Sequence, residues 1–239
     1  MGNPSSNPTR RTIPEASLRR LPIYHHLLQE MMLKGTPNIS CTTIGSALNL
    51  DATQVRKDIE ATGIVGKPKV GYPLVVLVRW IENFLGWNST NEAFLAGAGS
   101  LGSALLGYEK FRQLGFNLVA AFDTDPLKVG RSIAGKEVLH LDRLVELGRR
   151  MHIHLGVIAT PSEAAQTAAN LMVEAGVRAI WNFAPVHLRV PDFVIVQNED
   201  LYHSLASLSF RLERMMSAER AVAALSNETL STPRPETVE

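Results

Sequence analysis

The first part of the chain carries apolar residues at helical spacing. Between Pro14 and Gly35 they recur every three or four positions, at Leu18, Leu21, Tyr24, Leu28, Met31 and Met32. This period places them on one face of a helix. Proline in the first helical turn and glycine after the last are typical helix boundaries. Pro22 lies inside the pattern, where proline removes a backbone donor. The pattern predicts a first helix with one apolar face.

Two further short helices follow, joined by a tight turn. Ser40 can cap the first of them, and Asp51, with Gln54 three residues later, has the spacing of a capping box for the second. Val55 and Ile59 share the inward face of that second helix. The opposite face carries Thr53, Arg56, Lys57 and Glu60. A helix pair with a basic outer face is typical of a DNA-binding helix-turn-helix.

The stretch 63–72 is rich in turn residues and basic, as the β-hairpin wing of a winged helix would be. A three-helix interaction or dimerisation module is the alternative, since short helical hairpins are common. Apolar residues at helical spacing from 74 to 85, followed by Gly86, predict a helix that links this unit to the rest of the chain.

The middle of the chain alternates short apolar runs with helical patterns. The run 92–96 is followed at once by G-x-G-x-x-G, and a helical pattern begins at Ser103. This strand-turn-helix context is that of dinucleotide binding. The glycines permit a tight turn, close approach of a pyrophosphate and close packing of the helix. The turn residues expected to contact a cofactor are Gly97, Ala98, Gly99, Ser100, Leu101 and Gly102.

A carboxylate stands where a dinucleotide-binding fold needs one. Asp123 ends the apolar run 118–122 and comes 21 residues after Gly102. An acid there accepts hydrogen bonds from the adenosine ribose hydroxyls and would repel a 2′-phosphate. No arginine adjoins it to receive such a phosphate, so the sequence favours NAD(H) over NADP(H).

Strands and helices continue to alternate as far as residue 200, which predicts a mostly parallel sheet. Ligands of such sheets bind beyond the carboxyl ends of the strands. Candidates for the nicotinamide side are therefore Thr160, Pro161, Asn182, Phe183, Ala184 and Pro185. An apolar-faced helical pattern follows at 201–225, for which a partner subunit is a natural cover. The polar residues 226–239 are expected to form a disordered tail.

Composition excludes several classes of protein. Of the 239 residues, 45% are apolar, which argues against disorder over most of the length. One cysteine, Cys41, excludes an internal disulfide framework and a multi-cysteine zinc site. No apolar run approaches the roughly 18 residues of a membrane span, and no secretory signal is visible.

The net charge of +1 is the sum of two opposite parts. Residues 10–72 hold nine Lys and Arg against five Asp and Glu, whereas the rest of the chain holds 15 against 18. A small basic unit joined to a mildly acidic larger one suggests an anionic partner for the first.

An NAD-dependent oxidoreductase with an N-terminal interaction module is the main alternative function. Such an enzyme needs a proton-transfer residue and a substrate site beside the nicotinamide. His187 and His203 are the histidines nearest that region, and neither has an obvious orienting partner in the sequence. A helical oligomerisation module on a nucleotide-binding scaffold is a third interpretation.

The whole set of motifs resembles the Rex family of redox-sensing transcriptional repressors, over roughly residues 12–215. The stretches that carry the resemblance are Ile-Pro-Glu-Ala at 13–16, Gln-Val-Arg-Lys-Asp at 54–58, GAGSLGSAL at 97–105, FDTDPLKVG at 122–130, ATPSEAA at 159–165, NFAPVHLRVP at 182–191 and NEDL at 198–201. Together these stretches are highly specific, whereas one alone would not be.

Pattern and resemblance together predict an α/β protein, an N-terminal winged helix-turn-helix joined to a Rossmann-type, mostly parallel dinucleotide-binding domain with a C-terminal helix. The expected divisions are a flexible arm at 1–12, a winged helix at 13–73, a linker helix at 74–90, a Rossmann domain at 91–200, a C-terminal dimerisation helix exchanged between subunits at 201–225 and a tail at 226–239. The resemblance implies a cytoplasmic homodimer, not an enzyme. NADH and NAD+ would be effectors that are not turned over, and NADH would lower the affinity for double-stranded operator DNA.

The resemblance also implies a switch. In the family, an acid near the C-terminal helix contacts an arginine of the DNA-binding domain in the DNA-bound state and turns to a tyrosine near the nicotinamide in the NADH state. The matching acid and tyrosine are Asp200 and Tyr108. The arginine position falls on His26, a departure that would make the charge there depend on pH.

The expected DNA contacts lie on the third helix and the wing. Thr53, Arg56 and Lys57 would face the major groove, and Lys67 and Lys69 would contact phosphate or the minor groove. The full candidate set is Arg11, Ser40, Thr42, Thr53, Gln54, Arg56, Lys57, Lys67 and Lys69. Ala61-Thr62 and Pro68-Lys69 depart from the aromatic pair and the Arg-Gly step usual in the family. A two-fold dimer predicts a palindromic operator.

Overall fold

The computed structural model describes residues 13–68, 70–88 and 91–230, except for the side chains of residues 201 and 221–230. The expected arm at 1–12 with Arg11, the wing residue Lys69 and the last part of the expected tail, 231–239, lie outside the described residues. Contacts divide the chain into two compact units. The first holds residues 13–91 together with 109–117, and the second holds 92–108 and 118–230.

The first unit contains the predicted helices. They are α1 (Glu15–Leu33), α2 (Cys41–Leu48) and α3 (Ala52–Ala61), followed by α4 (Leu74–Leu85). The Ser40 hydroxyl accepts the Thr43 N–H at 3.0 Å and so caps α2. Asp51 accepts the N–H groups of Thr53 and Gln54 at 2.8 and 3.1 Å and caps α3. Each helix therefore starts at the residue that its capping side chain predicts.

A short antiparallel pair and a tight turn form the expected wing. Strand β1 (Asn38–Ile39) pairs with β2 (Tyr72–Pro73). Just before β2, Lys67 and Gly71 exchange two backbone hydrogen bonds of 2.8 and 2.9 Å. Gly71 has φ +84°, and a Cβ there would lie 2.2 Å from the Ile39 carbonyl oxygen. Only glycine fits this position without strain.

Helix α4 belongs to the core of the first unit, which differs from the linker role expected for it. Its apolar face is buried because it packs with the inward faces of α1, α2 and α3 in one cluster. The fully buried members of that cluster are Leu21, Tyr24, Leu28, Ile44, Val55, Ile59, Leu74, Leu77 and Ile81.

A buried carboxylate ties α3 to α1. Asp58 is fully buried, and its oxygens accept two hydrogen bonds from the Arg20 guanidinium, at 2.6 and 2.8 Å. The Tyr24 hydroxyl donates to it at 2.6 Å and the Gln54 amide at 2.8 Å. Burial would raise the pKa of Asp58, but hydrogen bonds from Arg20, Tyr24 and further side chains lower it to about 2. The pair therefore fixes the rotation of α3 about its own axis.

The second unit is built on a seven-stranded sheet of order β5-β6-β4-β3-β7-β8-β9. Pairs β4·β6, β3·β7, β7·β8 and β8·β9 are parallel, and the edge strand β5 is antiparallel to β6. The strands are β3 (Asn91–Ala96), β4 (Phe116–Asp123), β5 (Ser132–Ile133), β6 (Lys136–His140), β7 (Leu155–Ile158), β8 (Ala179–Asn182) and β9 (Ile195–Asn198). The helices of the second unit are α5 (Ser100–Leu106), α7 (Leu144–Met151), α8 (Ser162–Glu174) and α9 (Leu201–Leu230), and a 3-10 turn covers Leu141–Arg143. Helix α6 (Lys110–Gln113) belongs with residues 109–117 to the first unit.

The strand order creates a crevice at one edge of the sheet. Strand β3 lies between β4 and β7. The chain therefore builds the sheet on one side of β3 from β4 to β6 and then crosses to its other side at β7. Crossovers on the two sides diverge there and leave a crevice at the carboxyl ends of the strands. The glycine-rich turn follows β3, Asp123 is the last residue of β4, and Thr160 comes shortly after β7.

Helix α9 is longer than the sequence pattern indicates, since it runs to Leu230 and into residues expected to be tail. Apolar side chains along it are more than half exposed: Tyr202, Leu205, Leu208, Phe210, Leu212 and Met215. Across the described helices there is no stretch with the length and apolar character to cross a bilayer.

Replacing Asp58 tests the buried carboxylate. Asp58→Asn should lower the free energy of unfolding of the first unit by about 2–4 kcal/mol, because the Arg20 charge loses its partner. The loss can be measured by amide hydrogen exchange of α3 in the full chain. Glu60→Gln, on the exposed face of the same helix, should change exchange by less than about 0.5 kcal/mol. Equal exchange in the two variants would contradict the assignment.

The same carboxylate predicts an acid dependence. A pKa of about 2 in the folded state, below the ordinary value of 3.8, means that ionised Asp58 stabilises the first unit above about pH 4. That contribution, on the order of 2 kcal/mol, should be lost as the pH falls towards 2. A pH series of exchange rates should show this loss in the native chain and not in Asp58→Asn.

Candidate functional site

Two glycines of the turn after β3 are required by close backbone packing. Gly97 has φ +97°, and a Cβ there would lie 2.5 Å from the carbonyl oxygen of Ala159. A Cβ on Gly102 would lie 1.9 Å from the carbonyl oxygen of Gly97. Neither position has room for a side chain, which agrees with the tight turn and the close helix packing predicted from the motif.

Gly99 differs from these two, because a Cβ on it would meet no atom within 4 Å. Its backbone faces open space at the start of α5. The missing side chain therefore leaves room in front of the helix N-terminus, where free N–H groups can receive the phosphates of a ligand. The geometry fits the close approach of a pyrophosphate expected at Gly99.

The carboxylate of Asp123 joins two turns of the sheet. It accepts the N–H of Ala98 at 2.8 Å and that of Asp125 at 2.9 Å, and the Lys128 ammonium lies 3.1 Å away. Burial would raise the pKa of Asp123, but these three donors lower it below its usual value. Asp123 is therefore an anion at neutral pH and is presented at the edge of the cavity. The sequence pattern did not point to Lys128.

One cavity of about 510 Å³ brings together residues from three strand ends. Its lining includes Gly97, Gly99, Ser100, Leu101, Asp123, Thr160 and Pro161, all expected from the sequence, and Lys128. The Thr160 hydroxyl oxygen is buried and has no hydrogen-bond partner among the residues that the structure describes. Buried polar atoms without partners are rare, and this one belongs to a residue that lines the cavity, so it is a candidate for a ligand contact. The lining thus combines a turn with free N–H groups, an anionic carboxylate and an unpartnered hydroxyl, a set that fits a dinucleotide.

A second cavity, of about 370 Å³, is lined by Phe183, Ala184 and Pro185 together with Asp200. Asn182 does not present its amide there. It is fully buried, donates to Val186 and Asn198 and accepts the Ala184 N–H. Its hydrogen bonds hold the loop that carries Phe183 to Pro185, and its expected contact with the cofactor stays a prediction.

The three expected switch residues lie on different elements: His26 on α1, Tyr108 after α5 and Asp200 before α9. Tyr108 is half exposed and is not among the described residues that line either cavity. Asp200 accepts the His203 N–H at 2.7 Å and so caps α9. His26 is exposed and lies 3.4 Å from Glu30 on its own helix. Its neighbour His25 is buried instead, with its ring 2.9 Å from Glu82 and edge-on to Trp87.

Most of the candidate DNA-facing residues that the structure describes lie on the exposed side of α3 or line one nearby cavity, and they are called the basic surface below. Thr53, Arg56 and Lys57 are exposed on α3. A shallow cavity of about 590 Å³ is lined by Ser40, Thr42, Arg56 and Lys67, among others. Gln54 is the exception in the expected set, since its amide donates to the buried Asp58. That bond supports α3, and the expected contact of Gln54 with DNA stays a prediction.

No group of His, Cys, Asp or Glu residues that could hold a metal ion occurs in the part of the chain that the structure describes.

Two family models match the chain, one over each part. The model described as "Putative DNA-binding protein N-terminus" matches residues 12–59. The model described as "CoA binding domain" matches residues 88–186. The basic surface lies within or just after the first match, and the glycine-rich turn, Asp123 and Thr160 lie within the second.

Curated relatives carry one name. A "redox-sensing transcriptional repressor Rex" of Treponema denticola is 46% identical over 83% of this chain and 95% of its own length. One of Bacteroides thetaiotaomicron is 39% identical over 84% and 91%. The chain belongs to the Rex family. Its members share both the N-terminal unit and the sheet, because the matches span most of each chain.

Solved structures of a Rex-family repressor, RSP, have the same fold. The structure described as RSP in complex with β-NAD+ and operator DNA has a TM-score of 0.82 at 33% identity and covers 89% of this chain and 98% of its own. RSP in complex with β-NADH has a TM-score of 0.77, also at 33% identity, over 87% and 98%. The predicted α/β fold with its winged helix-turn-helix and mostly parallel sheet is confirmed.

Two glycines of one motif should respond differently to alanine. Gly102→Ala should cost about 3 kcal/mol or more, because the new methyl group cannot fit beside the Gly97 carbonyl. Gly99→Ala should leave stability unchanged or raise it slightly, since its φ of −75° suits alanine and its Cβ meets nothing. Thermal unfolding of both variants measures the difference. Equal melting temperatures would show that the turn can relax and that the close packing is not required.

Proposed function

We propose that this chain is a DNA-binding transcriptional repressor that senses the NADH/NAD+ ratio and releases a palindromic operator when NADH binds its Rossmann-type unit. The observation that carries the proposal is the cavity in which the glycine-rich turn, Asp123 and the unpartnered Thr160 hydroxyl converge. The relatives' names and the RSP complexes with NAD+, NADH and operator DNA support it.

Different cavity residues would bind different parts of the dinucleotide. The free N–H groups at the start of α5 would bind the pyrophosphate, and Gly99 would let it approach. The Asp123 anion would accept hydrogen bonds from the adenosine ribose hydroxyls. Thr160 and Pro161 would lie on the path to the nicotinamide, with Phe183, Ala184 and Pro185 beyond them. When bound, the cofactor reports its redox state through its nicotinamide ring.

DNA recognition is assigned to the exposed face of α3 and to the wing. Arg56, Lys57 and Thr53 would enter the major groove, where side chains read base edges. Lys67 and Lys69 would contact phosphate, with Arg11, Ser40 and Thr42 as further candidate contacts. Phosphate contacts set affinity and its salt dependence, whereas base contacts set sequence preference.

We infer a homodimer, and the apolar side chains that α9 leaves exposed support it. Large exposed apolar surfaces mark protein interfaces. We propose that α9 packs on a second copy by exchange of C-terminal helices, and that the two-fold axis of the dimer matches a palindromic operator. We place the protein in the cytoplasm, where an operator is accessible. The exchange of Asp200 between His26 and Tyr108 stays a prediction.

The repressor function is favoured over an NAD-dependent oxidoreductase. Relatives that span most of this chain are named as repressors, and the RSP structure contains operator DNA. Tight NADH binding without hydride transfer to hydroxy or oxo substrates is the expected result, and turnover would favour the enzyme.

Loss of the Asp123 carboxylate, the proposed ribose-binding group, should uncouple operator binding from NADH binding. Asp123→Ala should weaken NADH binding and leave operator binding at its native strength but insensitive to NADH. Operator affinity is measured by fluorescence anisotropy with and without NADH at one salt concentration, since salt alone changes it. Full NADH sensitivity in Asp123→Ala would show that the ribose assignment is wrong.

Arg56 tests the recognition helix. Arg56→Ala should abolish operator-specific binding, because the dimer loses two base contacts and each typically contributes about 1–3 kcal/mol. NADH binding should stay native, which shows that the variant is folded. Arg149→Ala, an exposed residue of the second unit, is the matched control. Operator-specific binding that persists in Arg56→Ala would show that α3 is not the helix that contacts the bases.

A further inference from the structure

We propose that Lys128 determines cofactor specificity together with Asp123: paired with Asp123 it is held away from a ligand phosphate, and once the Asp123 charge is removed it accepts the 2′-phosphate of NADPH. The inference rests on the proposed NAD(H) site and names the group that sets its choice of dinucleotide.

A pinned turn brings Lys128 back to the end of β4. The Asp125 carboxylate accepts the Leu127 N–H at 2.9 Å, and the Asp125 carbonyl accepts the Lys128 N–H at 2.9 Å. These bonds form a turn that points the lysine side chain towards the strand it has left. Its ammonium therefore reaches Asp123, five residues earlier in the chain, at 3.1 Å.

Charge explains why the native site should reject a 2′-phosphate. Lys128 lies between two carboxylates, 3.1 Å from Asp123 and 3.6 Å from Asp125. One ammonium against two carboxylates leaves a net negative charge at the ribose end of the cavity. The Asp123 side chain is only 10% exposed, so solvent screens this charge weakly. A phosphate placed there would be repelled.

Without the Asp123 charge, the Lys128 ammonium and the Asp125 carboxylate sum to zero, so the net negative charge at this end of the cavity is gone. Lys128 lines the cavity, and its side chain is about a third exposed, so a ligand can reach it. Asparagine at 123 keeps an oxygen that can accept a turn N–H but no longer neutralises the ammonium. Asp125 still faces the ammonium with one oxygen, at 3.6 Å, while its other oxygen accepts the Leu127 N–H. The ammonium, no longer paired with Asp123, can then form a charge-assisted hydrogen bond to a phosphate.

The test compares NADH and NADPH binding to the full-length native chain, Asp123→Asn and Asp123→Asn/Lys128→Met, by calorimetry at one ionic strength. Asp123→Asn should bind NADPH about tenfold or more tightly than the native chain does, as expected for one hydrogen bond to a charged group. The double variant should lose this gain. Asp123→Asn/Arg131→Met, which removes a cation that does not line the cavity, should keep it.

NADPH binding that is equal in Asp123→Asn and Asp123→Asn/Lys128→Met would overturn the assignment of Lys128. If Asp123→Asn does not fold, the deciding variant is Lys128→Met in the native background. It should widen the preference for NADH over NADPH, and an unchanged or narrowed preference would overturn the proposal. Failure of the proposed function has a different signature, because the native chain would then bind neither dinucleotide.

Discussion

The carboxylate of Asp123 accepts the N–H groups of Ala98 and Asp125, which belong to the turns after the neighbouring strands β3 and β4. Those two bonds hold the glycine-rich turn at a fixed distance from the end of β4. Because the carboxylate stays ionised, the same group that shapes the crevice also presents a negative charge inside it. One side chain thus contributes both to the shape of the crevice and to its charge.

The first unit has a comparable centre in Asp58. Its two oxygens receive hydrogen bonds from α1 and from Gln54 of α3, so α3 cannot rotate without breaking a buried charged pair. The inner side of α3 is used for this attachment, and the exposed side carries Thr53, Arg56 and Lys57. A helix that reads bases needs such fixed orientation, because base contacts are geometrically selective.

Local chemistry made much of this predictable from the sequence. Ser40 and Asp51 cap α2 and α3 because their side chains bond to amides two or three residues away. The roles of Gly97 and Gly102 follow from the spacing of a known turn, and the structure shows the carbonyl oxygens that leave no room for a Cβ.

Interactions between distant residues were not predictable. Lys128 reaches Asp123 only through a turn pinned by Asp125, and charge counting along the chain does not show that return. Helix α4 has the spacing of any amphipathic helix, and its place in the core depends on α1. Gln54 and Asn182 are polar residues beside motifs, yet each bonds to a partner inside the fold.

The central claim is that one chain couples dinucleotide binding to DNA binding, and linkage tests it most directly. Binding free energies are reciprocal, so the factor by which NADH weakens operator binding must equal the factor by which operator weakens NADH binding. Both can be measured on the native protein at one salt concentration, by DNA anisotropy and by NADH fluorescence. We expect two equal factors of about 5–150, with little effect of NAD+. Operator and NADH that bind independently, each with an affinity unchanged by the other, would contradict it.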